Sequence, residues 1–583
     1  MVAMIIKKTK GHLMSHNFSR RNFLKASMYG LGAATIAMSL TGCNSDDDNK
    51  LAENDFAINF NHGVASGDPL SDAIILWTRV TPSGAPQGVN LTLQIADDEN
   101  FDINRVQQSV VALASNDYTV KIDFAGLNAG SKYYYRFVTE NEVSPTGQFK
   151  TLPQGSVDSV KFAVMSCANY PAGYFHAYAE AAKLTDIDAV LHLGDYIYEY
   201  GMGGYATENA QALGRELADD NASEIITLED YRKRYALYRS DTSLQQLHAN
   251  SPFIAVWDDH EVANDSFKNG AENHNDGEGD FTARKLAALQ AYFEWMPIRP
   301  YVKGQTESLY RQFEYGDLVS LYMLDTRHES RAKPLDYANY IDPVTGQIDS
   351  NRFILDLIEP TQKLIGTDQL IWLQDGMINS NATWQVLGQQ VLMNRMHIPA
   401  ELLAELANPS AQTAQTLTEL AQIKGRLLAG DPTLTEMEKA RVTTLAPYNL
   451  DAWDGYPVER ELILQTANEF NKNLIALAGD THNAWGGQLK DGKGNVCGYE
   501  FATSSVSSPG LEYYLQLPEQ MALQFAEALK LLVDDLEYAN IHQRGFMTVT
   551  FTAEKAHSEW HLLSSVHQND YQMSSQMTEV LAK

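Results

Sequence analysis

Cysteine is nearly absent from the sequence. The 583 residues include only three cysteines, Cys43, Cys167 and Cys497. Cys43 lies in a leader segment, so no more than a single disulfide, between Cys167 and Cys497, can form in the rest of the chain. Cys167 follows an apolar run and stands beside candidate metal ligands. A metal thiolate is therefore the favoured interpretation of Cys167.

Basic residues are also scarce, with 44 Lys and Arg against 74 Asp and Glu and a formal net charge of −30. Six of the basic residues belong to the leader, so its removal makes the remaining chain still more acidic. Affinity for nucleic acid depends on Lys and Arg that neutralise phosphates. This composition argues against a nucleic-acid partner, and the acidity suits a protein that binds metals through oxygen ligands.

The N-terminal segment has no apolar run long enough to span a membrane. Its first 42 residues contain no acidic residue, and residues 19–25 (SRRNFLK) precede a mildly apolar stretch. This pattern predicts a twin-Arg signal, and hence the twin-Arg translocase as a partner during export. The following residues 40–43 (LTGC) resemble a lipobox and predict a lipidated Cys43, with residues 44–50 as a polar tether.

We therefore expect residues 1–50 to direct export to the periplasm or cell surface and to anchor the protein in a membrane. The alternative is a cleaved soluble precursor in which Cys43 is incidental. The sequence leaves the choice between inner and outer membrane open.

The rest of the chain is long enough for more than one domain, since 44% of the residues are hydrophobic and a large core can form. Residues 56–153 contain short apolar segments separated by turn residues, which predict a small antiparallel β-sandwich of the immunoglobulin-like sort. Its expected strands are 73–80, 89–95, 118–124, 133–139 and 147–151.

Residues 158–583 alternate strand and helix patterns, which predicts an α/β catalytic domain. The segment 399–445 is helical and charged in character and is expected to be an insertion or cap. The expected helices elsewhere are 175–184, 284–295 and 523–537, and the expected closing hairpin joins 546–552 to 558–563.

Six short apolar runs in the α/β region each end at residues that bind metals or phosphates. Strands that are apolar on both faces are typical of sheets covered on both sides, and ligands bind at the carboxyl ends of such strands. Their convergence predicts one multi-metal site. The runs are 160–165 before Ser166 and Cys167, 190–193 before Gly194 and Asp195, 253–257 before Asp258 and Asp259, 319–324 before Asp325 to Arg327, 384–387 before Gln389 and Gln390, and 474–478 before Gly479 and Asp480.

Individual motifs leave alternatives open. Asp195 can bridge two cations, and the phenolate of Tyr198 suits ferric iron, but the same pair is compatible with a helix cap and a core tyrosine. Asp258 and Asp259 are adjacent carboxylates, which are costly to bury together unless a cation balances them.

Two further motifs contain candidate metal-binding or phosphate-binding residues. Asp480 and His482 offer a carboxylate and an imidazole just after a strand. Arg327 is either a structural ion-pair partner or a group that grips a phosphate oxygen. His192 lies inside a strand and is expected to be a core histidine.

Taken together, these motifs resemble one family, the PhoD-like alkaline phosphatases of the metallophosphatase kind. The matching stretches run in the family's order over most of the chain after the leader. They are 64–69 with 75–80, 166–167, 194–200 (GDYIYEY), 231–232, 238–239, 257–262 (WDDHEV), 291–297, 324–327 (LDTR), 453–456, 479–483 (GDTHN) and 544–546.

The resemblance implies an N-terminal β domain followed by a four-layer α/β sandwich whose site holds ferric iron (Fe3+) and calcium (Ca2+). It implies iron held by Cys167, Asp195, Tyr198 and His482, and calcium near Asp195, Asp259 and Asp480. The match does not decide which of Asp258, Asp259 and Asn264 binds a metal directly.

The resemblance further implies an alkaline phosphatase that acts on small-molecule phosphomonoesters by attack of metal-activated hydroxide. Arg327 would hold phosphoryl oxygens. His260 would either donate a proton to the leaving alkoxide or, as we favour, hold a ligand carboxylate in place.

Two other functions stay open from the sequence. One is phosphodiesterase or phospholipase D-like activity, and the other is a non-catalytic lipoprotein that binds phosphate or a polymer. The segment 399–445 has no counterpart in the resemblance, so the substrate choice is also open.

Overall fold

The computed structural model describes residues 56–299, 308–342, 348–406 and 409–583. The expected twin-Arg signal, lipobox and tether in residues 1–50 lie outside the described residues. Within the described ranges, no helix combines the length and apolarity needed to cross a membrane.

The strands are short, and those after residue 158 are interleaved with helices. In chain order they are β1 (Ile58–Asn59), β2 (Val64–Gly67), β3 (Ala73–Arg79), β4 (Thr81–Pro82), β5 (Gly88–Ala96), β6 (Val106–Leu113), β7 (Thr119–Ala125), β8 (Lys132–Val138), β9 (Gly147–Lys150), β10 (Val160–Met165), β11 (Ala189–His192), β12 (Phe253–Ala255), β13 (Arg311–Tyr315), β14 (Val319–Met323), β15 (Trp384–Gly388), β16 (His397–Pro399), β17 (Leu445–Pro447), β18 (Asn473–Ala478), β19 (Ala484–Lys490), β20 (Val496–Ala502), β21 (Leu536–Asn540), β22 (Arg544–Phe551), β23 (Lys555–Leu563) and β24 (Met573–Leu581).

Several helices begin at a side-chain cap that the sequence rules predict. Thus the helix Phe281–Trp295 starts after Asp280, whose side chain accepts the N–H of Ala283, and stops before Pro297. In chain order the α-helices are α1 (His176–Ala181), α2 (Ala210–Leu213), α3 (Leu228–Arg239), α4 (Thr242–Asn250), α5 (Phe281–Trp295), α6 (Ser350–Leu357), α7 (Gly366–Asn379), α8 (Ala400–Leu406), α9 (Ala411–Leu428), α10 (Glu436–Thr443), α11 (Pro457–Glu469), α12 (Leu511–Tyr514) and α13 (Glu519–Leu532).

The N-terminal residues form the expected sandwich. A four-stranded sheet in the order β6-β5-β8-β9 shares one hydrophobic core with β2, β3 and β7. Strand β8 shows the alternation that the sequence predicts, with Tyr133, Tyr135 and Phe137 buried in that core. The sequence did not predict β2 or β6.

The β2-β3-β7 sheet continues into the nine-stranded sheet of the α/β region, whose order is β24-β23-β22-β10-β11-β12-β2-β3-β7. The junction is a parallel pairing of Gly67 in β2 with Phe253 in β12. A side chain at Gly67 would collide with the carbonyl oxygens of Phe253 and Pro297. Glycine is therefore required for this close approach.

A second sheet of seven strands faces the first, in the order β13-β14-β15-β18-β20-β19-β21. Aromatic pairs join the two sheets, with ring centroids 5.1 Å apart for Phe162 and Tyr315 and 5.8 Å apart for Trp384 and Phe551. Helices cover the outer faces of both sheets. The four-layer α/β sandwich preceded by a β domain is confirmed.

The segment 399–445 holds the helices α8, α9 and α10 between the paired strands β16 and β17. The helix expected at 523–537 runs from Glu519 to Leu532, and the last expected residues belong instead to β21. The closing hairpin of β22 and β23 is present, and β24 extends it although the sequence did not predict this strand.

Candidate metal centre

The carboxyl ends of the six apolar runs lie at one edge of the two facing sheets. Three of the runs are β10, β11 and β12 in the nine-stranded sheet, and three are β14, β15 and β18 in the seven-stranded sheet. Ligand atoms of Cys167, Asp195 and His482, which follow β10, β11 and β18, all lie within 4.8 Å of one another. The candidate ligands therefore come from both sheets.

Tyr198 joins this first cluster through its hydroxyl group. The hydroxyl oxygen lies 3.1 Å from Asp195 Oδ2 and 3.1 Å from His482 Nε2, and Ser508 Oγ donates to it at 2.7 Å. Nδ1 of His482 lies 2.8 Å from the carbonyl oxygen of Pro509. Because that carbonyl can only accept, Nδ1 carries the proton, and Nε2 is left with a lone pair for a ligand.

Asp195 is not a helix cap, so that alternative is wrong. In the chain that follows, the first described α-helix begins only at Ala210, and the Asp195 carboxylate accepts from Tyr198. The backbone is left-handed at Asp195, with φ of 54°, and also at Cys167, Asp480 and His482, with φ of 60°, 63° and 63°. Non-glycine residues adopt this conformation at a cost in free energy, and such residues cluster at functional sites.

A second cluster contains three carboxylates. Ligand oxygens of Asp258, Asp259 and Asp480 lie within 4.8 Å of one another. The buried guanidinium of Arg327 contacts Asp258 closely, and its Nη2 lies 3.1 Å from Asp480 and 3.6 Å from Asp259. The ion-paired state of Arg327 is thus observed, and its binding of phosphate stays a prediction.

Asp451, which the sequence analysis missed, completes the surroundings of Arg327. Its Oδ2 lies 2.8 Å from Arg327 Nη1, and its Oδ1 contacts Arg331. Asp451 follows no apolar strand, so no pattern in the sequence pointed to it.

His260 lies where the two clusters meet. One of its ring nitrogens, together with carboxylate oxygens of Asp195 and Asp259, belongs to a third group of donors within 4.8 Å of one another. Nδ1 of His260 lies 2.7 Å from Glu199, a fully buried carboxylate. Glu199 also accepts the backbone N–H of Asn264 at 2.8 Å, so this one carboxylate holds both His260 and Asn264 in position.

Asn264 lies close to the second cluster in sequence. Its side-chain amide nitrogen donates to Glu272 Oε2 at 3.2 Å, and Asp258 and Asp259 both belong to the carboxylate cluster. The choice among these three residues as direct metal ligands stays a prediction.

Glu261 holds together the two loops that follow β11 and β12. Its carboxylate accepts the backbone N–H groups of Tyr196 at 2.7 Å, Asp258 at 2.8 Å and Asp195 at 3.0 Å. Glu261 lies within the 257–262 motif, but nothing in the sequence separated this positioning role from a ligand role.

The electrostatics of the site reflect an excess of buried negative charge. Burial raises the pKa of Asp195 well above its ordinary value, and the nearby Asp259 raises it further. Burial alone would lower the pKa of His260, but Asp259 and Glu199 outweigh burial and raise it. Burial lowers the pKa of His482 to about 3, so its imidazole is neutral and competent as a metal ligand.

The donors fit iron and calcium. A thiol, a phenol, an imidazole and a carboxylate meet in the first cluster, which suits a transition metal with a preference for mixed ligands. The candidate metal ligands of the second cluster are all carboxylates, which suits calcium, and the guanidinium of Arg327 balances part of their charge. Asp258 Oδ2 is buried and finds no hydrogen-bond partner among the described residues, so it is available as a ligand atom.

Comparison with known proteins identifies the family. Residues 162–560 match the model of the PhoD-like phosphatase family, and residues 45–153 match the model of the PhoD-like phosphatase N-terminal domain. The chain belongs to the PhoD-like phosphatase family. Alkaline phosphatase D of Bacillus subtilis (strain 168) is 34% identical over 525 residues, which cover 87% of this chain and 79% of that protein.

A solved structure described as that of PhoD agrees with this assignment. It superposes with a TM-score of 0.70 at 30% identity and covers 90% of each chain. The PhoD-like phosphatase described here is therefore a phosphoric ester hydrolase, and the enzyme interpretation is confirmed over the non-catalytic one.

Proposed function

We propose that this PhoD-like phosphatase is a metal-dependent alkaline phosphatase that hydrolyses small-molecule phosphomonoesters. Its ferric iron would be held by Cys167, Asp195, Tyr198 and His482, and its calcium by the carboxylates of the second cluster. The observation that carries this proposal is the sharing of Asp195 and Asp259 between groups of donors that each fit within 4.8 Å. Shared carboxylates allow neighbouring cations to act on one phosphoryl group.

When bound, the metals supply Lewis acidity that makes a nucleophile available from water near neutral pH. The residues of the chain provide orientation and charge. Arg327, buried between Asp258 and Asp480, keeps a fixed positive charge at the site and would bind phosphoryl oxygens. Glu199 holds His260 by a 2.7 Å hydrogen bond, so the imidazole keeps Asp195 and Asp259 in place.

The test of the iron proposal uses purified protein and two tyrosine variants. A tyrosinate bound to ferric iron gives a visible charge-transfer colour, so Tyr198→Phe should remove the colour. Tyr205→Phe is the matched control, because Tyr205 Oη lies 3.2 Å from His482 Nδ1 but is not among the atoms around Asp195. Iron-free, colourless protein with full activity would refute the iron site.

The calcium and ester-class parts are tested on the same preparation. Chelation of calcium should abolish turnover, and added calcium should restore it. Relative kcat/KM values on a monoester and a diester with the same leaving group decide the ester class. A large preference for the diester would replace the phosphomonoesterase proposal by the phosphodiesterase alternative.

The proposal includes export and anchoring, which rest on the sequence of residues 19–43. Acyl chains stabilise membrane binding by about 0.8 kcal/mol for each buried CH₂ group, and lipoproteins carry several chains. Cys43→Ser should therefore release soluble, active protein, and Arg20→Lys with Arg21→Lys should trap precursor inside the cell. Membrane fractionation of Cys43→Ser that matches the wild type would contradict lipidation.

A further inference from the structure

A cavity of about 290 Å³ opens directly beside Asp480 and His482. Away from these two candidate ligands its walls are largely apolar or aromatic. The apolar and aromatic wall residues are Leu406, Pro409, Tyr448, Trp485, Leu511, Tyr514 and Leu515, and the remaining polar ones are Asn449, Thr481 and Asn483. The cavity has room for one ring and its linker next to the proposed metals.

The polar groups of the cavity wall are mostly engaged with one another. Trp485 Nε1 donates to Thr481 Oγ1 at 2.8 Å. Asn483 Nδ2 donates to the carbonyl oxygen of Thr481, and Asn483 Oδ1 accepts the N–H of Leu511 at 3.1 Å. Among the described residues, no lysine or arginine lines this cavity. A negatively charged substituent would therefore lose its water without gaining a positively charged partner.

The parallel rings of Tyr514 and Tyr205 form an aromatic surface at this cavity, which we call the aromatic shelf. The two ring centroids are 6.3 Å apart with an interplanar angle of 7°, and 53% of the surface of Tyr514 is exposed. The hydroxyl oxygen of Tyr205 lies 3.2 Å from His482 Nδ1. The shelf thus extends outward from the proposed iron ligand, where an aromatic ring could stack on it.

We propose that this cavity binds the leaving group of the ester and selects an uncharged aromatic or bulky apolar group. This inference rests on the proposed phosphatase function. Part of the lining comes from or adjoins the segment 399–445, since Leu406 lies at the end of α8 and Tyr448 just after β17. The leaving-group preference would therefore depend on this segment together with the residues from Leu511 to Leu515.

The test compares benzyl phosphate with n-propyl phosphate, whose alcohols have similar acidity, so their ratio of kcat/KM reports binding of the ring. Wild-type protein should favour the benzyl ester. Tyr514→Ala should lower the benzyl-to-propyl ratio about tenfold, the size expected for one lost apolar contact. Leu515→Ala, on the same wall, should lower the ratio in the same direction.

Tyr513→Phe is the matched control. Tyr513 does not line the cavity, its hydroxyl donates to Glu208, and its ring packs edge-on against Tyr514 with centroids 5.6 Å apart, a contact that phenylalanine keeps. Its ratio should stay within about threefold of the wild-type value. Equal loss of both substrates in Tyr514→Ala, or no wild-type preference for the benzyl ester, would overturn the proposal.

The proposed function and the cavity proposal fail in different ways. If the wild-type protein cleaves neither monoester, the phosphomonoesterase proposal fails, and the ratio is then measured on methyl benzyl and methyl propyl phosphodiesters. A benzyl preference that Tyr514→Ala removes supports the cavity proposal for either ester class. The absence of that preference in the cleaved class refutes it.

Discussion

The carboxylate of Glu261 holds the backbone of Asp195 in place. Glu261 Oε2 accepts the N–H of Asp195 at 3.0 Å and that of Asp258 at 2.8 Å. These two aspartates follow neighbouring strands and belong to different donor clusters. One buried carboxylate therefore sets the spacing of the two proposed metal positions.

Replacement of this carboxylate should weaken the binding of the proposed metals without removing one of their ligands. We expect Glu261→Gln to lower metal content and kcat/KM by about 10–100-fold, the usual effect of losing support for a ligand. Glu500→Gln is the control, because Glu500 also accepts two backbone N–H groups, those of Met393 and Asn394. Metal analysis and kinetics should be nearly normal for the control, and equal losses in both variants would contradict a specific role of Glu261.

Asp195→Asn tests the shared carboxylate directly. We expect turnover to be lost while thermal unfolding changes little, because the amide lacks the charge that two cations need. Asp325→Asn is a matched change at another strand end. Asp325 Oδ1 only accepts the N–H groups of Arg327 and His328, both at 2.9 Å, and asparagine can accept them equally well. Asp195→Asn with wild-type activity would exclude a bridging role.

Arg327→Ala should leave the negative charge of the carboxylate cluster uncompensated. Removal of one partner from a buried ion pair typically costs about 3–5 kcal/mol. We expect a loss of this order in the free energy of unfolding with a chelator present, and a smaller loss with excess calcium, because the cation replaces the guanidinium. Urea denaturation under both conditions measures this difference.

Arg284→Ala provides the control for Arg327→Ala. Arg284 is also buried, but its carboxylate partners are Glu224 and Glu278, which are not among the candidate ligands. Its destabilisation should be the same with and without calcium. If calcium leaves the loss in Arg327→Ala unchanged, calcium does not take the place of the guanidinium among these carboxylates.

His192 should make the protein sensitive to acid. Burial lowers the pKa of this imidazole from its ordinary 6.5 to about 3, and the ring contacts Tyr178 Oη at 2.9 Å. The unfolded chain takes up a proton below pH 6.5 and the folded chain does not, so stability falls as the pH drops from 6.5 towards 3. Between pH 7 and pH 5 this amounts to about 2 kcal/mol for one group.

The measurement is urea denaturation of wild type and His192→Gln at both pH values. The variant will be less stable overall, but its loss between pH 7 and pH 5 should be about 2 kcal/mol smaller than that of the wild type. Parallel pH profiles for the two proteins would show that His192 does not cause the acid sensitivity.

The strand ends could be predicted from the sequence because apolar runs and terminal Asp, His and Cys residues are local signals. Thus Cys167, Asp195 and His482 were expected together, and the structure brings them together. Asp451 and Glu199 could not be found in this way. They act through contacts with Arg327 and His260 that only the tertiary fold creates.

The class of the fold could be predicted from the alternation of strands and helices. The strand pairing that joins the two predicted domains could not. The pairing of Gly67 with Phe253 unites two predicted domains in one sheet, and no local pattern specifies a pairing so distant in sequence. Strand β24 was missed for another reason. It is a mostly exposed edge strand, so it lacks the apolar alternation of a half-buried strand.

The pairing of β10 with β22 has a consequence for biosynthesis. Strand β10 ends just before Cys167, and its antiparallel neighbour β22 follows every candidate ligand in the sequence. A nascent or truncated chain that stops before Arg544 would leave one side of β10 as an open edge beside Cys167. The edge of the sheet beside Cys167 is therefore covered only after every candidate ligand, up to His482, has been translated.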